Sequence, residues 1–243
     1  MIRLALEQDF LRPIENECAV RIQALKNAYG LNLSFLQFYA DDQGTLASVM
    51  DGFCVLDCCY KPNDEWISFL RMHPDILSIH STKTCIDTLC KRYGINCTAS
   101  GEVLYINNPS SKTALQRENL SISKLHGFLS GMFERFPPFE AWYVDVSHRV
   151  RHGCCHIAVT EQDGEIISSA MSVAETSDIV LIGGVATSPS HRGKGLASKC
   201  IADLMAMLPQ STVLINPIND YAARLYKKIG FSSHGTWAEI VIP

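Results

Sequence analysis

The sequence predicts a mixed α/β protein of two lobes, and three observations carry that prediction. Amphipathic helix patterns alternate with short runs rich in β-branched residues along the whole chain. The second half runs helix, helix, three antiparallel strands, helix, strand, helix, strand, which is the order of a mixed sheet with helices on its faces. The first half repeats this rhythm more faintly. A chain of 243 residues can bury a core as one large domain or two small ones, and at 47% hydrophobic and 19% charged it holds no segment polar enough to stay disordered.

From the N-terminus, a helix pattern at 14–29 precedes strands at 33–40 and 45–58 about the turn Asp41-Asp42-Gln43-Gly44. Helix 63–72, strand 76–80, helix 82–93 and strand 101–107 follow. The stretch NNPSSK (107–112) is built of turn residues, and it sets the expected boundary between a lobe of residues 1–108 and one of 109–243.

In the second lobe, SISKLHGFLSGMFERF (121–136) has apolar residues at helical spacing and is stopped by Pro137-Pro138. WYVDVSHRVRHG predicts a second helix closed by Gly153, and CCHIAVTEQ a strand ending at the hairpin turn Asp163-Gly164. Strands at 165–176 and 178–188 follow. A helix from Gly195 to Leu208 repeats Leu196, Cys200, Leu204 and Leu208 every four residues until Pro209, and STVLINP reads as a buried strand. Asn219 caps NDYAARLYKKIG, whose Lys227 and Lys228 suit the negative end of the helix and whose Gly230 closes it; GTWAEIVI is a last strand.

Several function classes are set aside. No run approaches the roughly 18 apolar residues of a membrane span, and the acids and Pro of MIRLALEQDFLRP do not suit a signal peptide, so the expectation is a cytoplasmic protein without membrane attachment. Its ten cysteines then read as reduced thiols, with the doublets Cys58-Cys59 and Cys154-Cys155 pointing to opposite faces of strands. A net charge of −4 without a dense basic cluster argues against nucleic acid. His148, His152 and His156 recur every four residues beside Cys154 and Cys155, but Gly153 breaks the ladder and no C-x-x-C pair supports it, so no metal site is expected.

HRGKGLAS (191–198) lies where a strand pattern ends and a helix pattern begins. Such a turn presents backbone N–H groups at the positive end of a helix, a combination that binds phosphate oxygens. Gly193 and Gly195 let a ligand approach the backbone, and Arg192 and Lys194 add charge. By itself the stretch fits a pyrophosphate cradle and an ordinary basic surface turn about equally. A Walker loop needs a different glycine spacing, and a dinucleotide fingerprint would place Gly at 198, where Ser198 stands.

Two motifs in order make the second lobe resemble the GNAT superfamily of acyl-CoA-dependent N-acetyltransferases. Arg192-Gly-Lys-Gly195-Leu-Ala197 matches that family's Q/R-x-x-G-x-G/A loop; Asn219, Ala222, Leu225-Tyr226 and Gly230-Phe231 match its second motif. The resemblance implies a GNAT fold for residues 109–243 and acetyl-CoA as co-substrate. The main chain at Val185, Ala186 and Thr187 would pair with the pantetheine arm and polarise the acetyl carbonyl. Arg192, Gly193, Lys194, Gly195, Leu196, Ala197 and Ser198 would hold the pyrophosphate, and Asn219 would reach the pantetheine or the phosphates. Tyr226 would lie near the thioester sulfur as a proton donor, although a packing role for this Tyr is the commoner fate outside the family.

The family's Glu near the start of the loop-bearing strand falls at Ile179 here; Asp178, Glu175, Asp145 and His148 are nearby alternatives for the base, and a water chain is another. The first lobe lacks the loop, and it reads as a smaller, degenerate GNAT-like copy that shapes the acceptor pocket or serves only structure. The expected activity is transfer of an acetyl group from acetyl-CoA to a primary amine on a small molecule or peptide. The rivals are a non-catalytic acyl-CoA-binding module and a purely structural scaffold. Acceptor contacts lie on variable loops, so neither the acceptor nor the oligomeric state is legible.

Overall fold

The computed structural model describes residues 1–31, 33–58, 61–108 and 120–242. Two compact units divide the chain: residues 1–104 with 216–219 and 233–243, and residues 105–215 with 220–232. Among the described residues no helix is long and apolar enough to cross a membrane.

The first unit holds β1 (Arg3–Leu4), α1 (Glu17–Tyr29), β2 (Leu36–Ala40), β3 (Leu46–Met50), β4 (Phe53–Asp57), α2 (Asp64–Met72), β5 (Ser78–Thr82), α3 (Lys83–Tyr93) and the start of β6 (Ala99–Asn107). The helices begin where side chains cap them: Asn16, Asn63 and Thr82 accept from the N–H groups of Ala19, Trp66 and Cys85. Neighbouring strands pair antiparallel from β1 through β4, and β4 then pairs parallel with β5. Alternation along β4 sorts the core into two layers. Cys54 and Leu56 pack with Trp66 and Leu70 of α2 and Ile86 and Leu89 of α3, whereas Val55 packs with Cys18 and Ile22 of α1.

In the second unit, α4 (Ile122–Ser130) and α5 (Phe139–Arg151) precede the antiparallel strands β7 (Ile157–Gln162), β8 (Glu165–Glu175) and β9 (Ile179–Thr187). Then come α6 (Leu196–Met207), β10 (Thr212–Ile215) and α7 (Asp220–Ile229), while β11 (Ser232–Val241) returns to the first unit after Ser232. The strand order here is β6, β10, β9, β8, β7. Leu125 and Leu129 of α4 and Val146 of α5 pack on Ile157, Val159 and Met171. Residues of opposite parity face α6, where Thr160 Oγ1 lies 3.5 Å from Cys200 Sγ. Asp163 and Gly164 both take positive φ, the conformation that a two-residue hairpin turn requires.

α1 and β2 each begin three residues later than their patterns, and four further departures bear on the architecture. The expected strand 45–58 is two strands, because Asp51 and Gly52 adopt positive φ and fold a hairpin between β3 and β4. The helix expected over 121–136 stops at Ser130: Met132 and Phe133 both donate to the Leu129 carbonyl in a turn, so Met132, Phe133 and Phe136 reach the core from non-helical backbone. α5 begins at Phe139, three residues before the pattern. Finally β11, expected in a lobe of 109–243, pairs antiparallel with β5 of the first unit from Trp237↔Thr82 to Val241↔Ser78. Ala238 and Ile240 are fully buried in that unit's core, which is the physical reason for the exchange. The expected linker lies mostly outside the described residues, as does Cys59.

Candidate functional site

β10 follows β9 in parallel only from Thr212↔Ile179 to Ile215↔Ile182. Beyond Ile182, β9 continues to Thr187, and among the described residues no strand pairs with it on that side. β9 is also irregular at this point. Between the pairs Ser169↔Ala186 and Met171↔Gly183, β9 holds one residue more than β8, and the surplus is the Gly184-Val185 bulge.

Only glycine suits position 184. Its φ is +56°, and a Cβ there would stand 2.8 Å from Met171 Cγ, with Leu129 Cδ1 at 3.7 Å. Two buried serines of β8 hold the strand across the bulge. Ser169 Oγ donates to the Gly184 carbonyl at 2.7 Å; Ser168 Oγ donates to the Ala186 carbonyl at 3.0 Å and lies 2.9 Å from Thr187 Oγ1. Neither serine was singled out in the sequence, although the Gly183-Gly184 doublet inside a strand pattern is a bulge signal.

The loop after β9 starts with a 3-10 turn, Pro189–His191, pinned by Ser188 Oγ at 2.8 Å and Ser190 Oγ at 3.0 Å from His191 Nδ1. Arg192 Nε donates to the Thr187 carbonyl at 3.2 Å, which tethers its guanidinium to the end of β9. Gly193 and Gly195 have φ of +77° and +76°, and nothing lies within 4 Å of where their side chains would be. Gly195 opens α6 and no side chain caps that helix, so the N–H groups of Leu196, Ala197 and Ser198 remain directed out of its first turn. Arg192, Gly193, Lys194 and Gly195 are exposed; Leu196, Ala197 and Ser198 are half-buried. The outcome is a run of backbone N–H groups at the start of α6, preceded by the Arg192 and Lys194 side chains and by the end of β9 at Val185, Ala186 and Thr187.

Tyr226 is buried in the second unit, on the face of α7 that meets Phe231, with ring centroids 6.1 Å apart. Burial pushes its phenol up to about 12. Asn219 precedes α7 directly but is exposed and groups with the first unit, so the second unit by itself does not bring it to the loop. The carboxylates weighed as bases are committed elsewhere. Arg149 donates to Asp145 through Nε at 3.0 Å, Ser177 Oγ donates to Asp178 at 2.7 Å, and Glu175 accepts from Ser172 with His156 Nδ1 2.8 Å away. The histidine ladder is broken as expected, since α5 ends at Arg151 and His156 turns to Glu175.

In the first unit a cavity of about 810 Å³ opens between Arg12, Asn16, Asp57, Cys58, Lys61 and Thr82. Arg12 is paired with Asp57, however, and the segment before α2 carries no glycine, so the cavity has no bare backbone cradle like the one at 193–198. The first unit also brings Glu17, Cys18 and His80 together with ligand atoms within 4.8 Å. Arg21 and Asn216 both donate to Glu17, and burial pushes the Cys18 thiol up, so the set is a closed ion-pair network rather than a cation site.

The acetyltransferase (GNAT) family model matches residues 120–231. No protein of curated function matches the chain by sequence. Among solved structures, a GCN5-related N-acetyltransferase from Kribbella flavida is similar with a TM-score of 0.62 at 13% identity, over 93% of this chain and 94% of that one. A GCN5-related N-acetyltransferase from Sphaerobacter thermophilus gives 0.59 at 15% identity, over 100% and 95%. A tandem GNAT protein from the clavulanic acid biosynthesis pathway gives 0.53 at 11% identity, over 99% and 93%. Identities this low establish a shared fold. The family model thus marks residues 120–231 as a GNAT acetyltransferase domain, and the solved structures share the fold over nearly the whole chain.

Proposed function

We propose that this protein is a cytoplasmic N-acetyltransferase that takes the acetyl group of acetyl-CoA and passes it to a primary amine of a small molecule or peptide. The observation that carries the reading is the combination of a bulged β9, which β10 does not pair beyond Ile182, with a glycine loop and an uncapped helix start after it. Acetyl-CoA supplies an activated thioester; everything else is done by the chain. The N–H groups of residues 193–198 and the Arg192 and Lys194 side chains hold the pyrophosphate. The open edge at Val185, Ala186 and Thr187 takes the pantetheine arm as an extra strand would be taken.

The Val185 N–H, on the bulged edge of β9, stabilises the oxyanion that develops when a neutral amine attacks the thioester. Tyr226 donates a hydrogen bond to the departing sulfur. Its phenol is held protonated by burial, so it serves as a donor throughout the physiological range. The first unit is a smaller, degenerate GNAT-like copy. Asn219 is a candidate contact to the pantetheine or the phosphates.

Calorimetric titration of the full chain with acetyl-CoA and with CoA, beside Arg192→Glu, tests the reading. Micromolar binding by the native chain that is lost in the variant supports it. Absence of binding refutes it, and binding without turnover of any amine in a broad panel leaves an acyl-CoA-binding module.

A further inference from the structure

The bulge in β9 has a specific lock. Ser169 is 1% exposed on β8, and its hydroxyl donates 2.7 Å to the carbonyl of Gly184. A peptide unit is planar and trans, so its C=O and N–H point in opposite directions. The Gly184 carbonyl is drawn toward β8, and the N–H of the same peptide, which belongs to Val185, is therefore turned away from β8. On that side β10 has already ended, at Ile215 opposite Ile182. The register shift between Ser169 and Met171 takes this peptide out of the regular pairing, so the Ser169 hydroxyl holds it where the ladder is irregular. Glycine at 184 has no side chain to restrict it.

We infer that Ser169 is a positioning residue of the transferase site, whose hydroxyl aims the Val185 N–H at the developing oxyanion by holding the Gly184 carbonyl. The inference rests on the acetyl-CoA reading above. Ser168 also holds a β9 carbonyl, that of Ala186 at 3.0 Å, but two peptides further on, where the regular pairs Ser169↔Ala186 and Ser168↔Thr187 already orient the backbone. No bond is made or broken by either serine during turnover.

Ser169→Ala removes the hydroxyl without adding volume, and Ser172→Ala, on the same strand and equally buried, is its size-matched control. With a responsive amine, Ser169→Ala lowers kcat at least about tenfold, on the scale of a misaimed oxyanion donor, while the acetyl-CoA KM stays within about threefold. Ser172→Ala keeps kcat within about threefold, and Ser169→Thr, which retains the hydroxyl, restores most of the rate. A wild-type kcat in Ser169→Ala overturns the inference, as does an equal loss of kcat in both alanine variants. If Ser169→Ala does not fold, Ser169→Cys, a much weaker donor of similar size, takes its place.

The carbonyl 13C resonance of Gly184 in the ligand-free protein gives a readout independent of activity. It shifts upfield in Ser169→Ala, and an unchanged resonance refutes the proposed lock even if the chain proves to bind no acetyl-CoA, a result that would by itself refute only the proposed function.

Discussion

His80 Nε2 lies 2.8 Å from Glu17 Oε2, with both side chains 2% exposed, and the second ring nitrogen, Nδ1, lies 2.9 Å from Glu239 Oε1. Carboxylates only accept, so the two contacts together favour the doubly protonated imidazolium. Burial opposes that charge, but the bonds to Glu17 and Glu239 outweigh burial and the nearby Arg21, and leave the His80 pKa raised. Burial likewise opposes the Glu17 carboxylate, and Arg21 and His80 overcome it and hold its pKa well below the usual range. The Trp237 indole is stacked on the ring, centroids 5.3 Å apart.

This network makes stability pH-dependent with opposite signs at the two ends. The His80 contribution is complete below the unfolded pKa near about 6.5 and is lost as pH rises through the raised folded value. The Glu17 contribution is present above about 4.3 and is lost as pH falls through its lowered value. Urea midpoints therefore decline from neutral into alkaline pH. His80→Gln lowers the midpoint at pH 6 and flattens that decline; an unchanged slope removes His80 from the account.

Gly184→Ala places a Cβ at positive φ and 2.8 Å from Met171 Cγ. Backbone strain of this kind costs roughly 1–3 kcal/mol, and Met171 relieves only the contact part. Thermal denaturation should register that loss, and acetyl-CoA turnover should fall with it because the bulge is displaced. A variant with native melting temperature and native rate would mean that the bulge geometry is not required.

Arg192→Glu puts a like charge beside the proposed pyrophosphate and removes the tether to the Thr187 carbonyl. Affinity for acetyl-CoA should drop by about tenfold or more, since charge-assisted bonds contribute about 1.5–3 kcal/mol. The salt dependence of binding, measured by calorimetry from low to high ionic strength, should become shallower. Equal affinities for variant and native chains would assign HRGKGLAS to an ordinary turn.

Tyr226→Phe should reduce kcat by roughly 10–100-fold with little change in acetyl-CoA affinity, as expected when a donor acts mainly in the transition state. With the phenol pushed up to about 12, the native rate shows no loss from Tyr226 ionisation across neutral and mildly alkaline pH. Affinity falling as far as kcat would make Tyr226 a packing residue of the cofactor site.

Much of this protein is legible in its sequence because the relevant forces are local. A cap three residues before the N–H it accepts from, as Asn63 before Trp66, needs no partner from elsewhere in the chain. The same holds for the Asp163-Gly164 turn, for Gly94 in the left-handed region after α3, and for a glycine-bounded loop leading into α6. The missed hairpin at Asp51-Gly52 belongs here too, since an Asp-Gly pair between apolar runs is a turn signal of the same type.

Tertiary structure alone decided the rest. Apolar spacing across Met132, Phe133 and Phe136 looks helical, yet the chain turns at Gly131 and these side chains reach the same core from a loop; burial rewards where a side chain ends, not how the backbone arrives. β11 follows α7 in sequence but pairs with β5, because strand pairing is a contact between distant segments that alternation along one strand cannot specify. The parting of β9 from β10 beyond Ile182 and the Ser169 bond to the Gly184 carbonyl arise in the same way, from two strands meeting with unequal residue counts. The sequence by itself determined the elements and the loop that ends in α6; only the fold determined which backbone N–H groups are left facing an open edge.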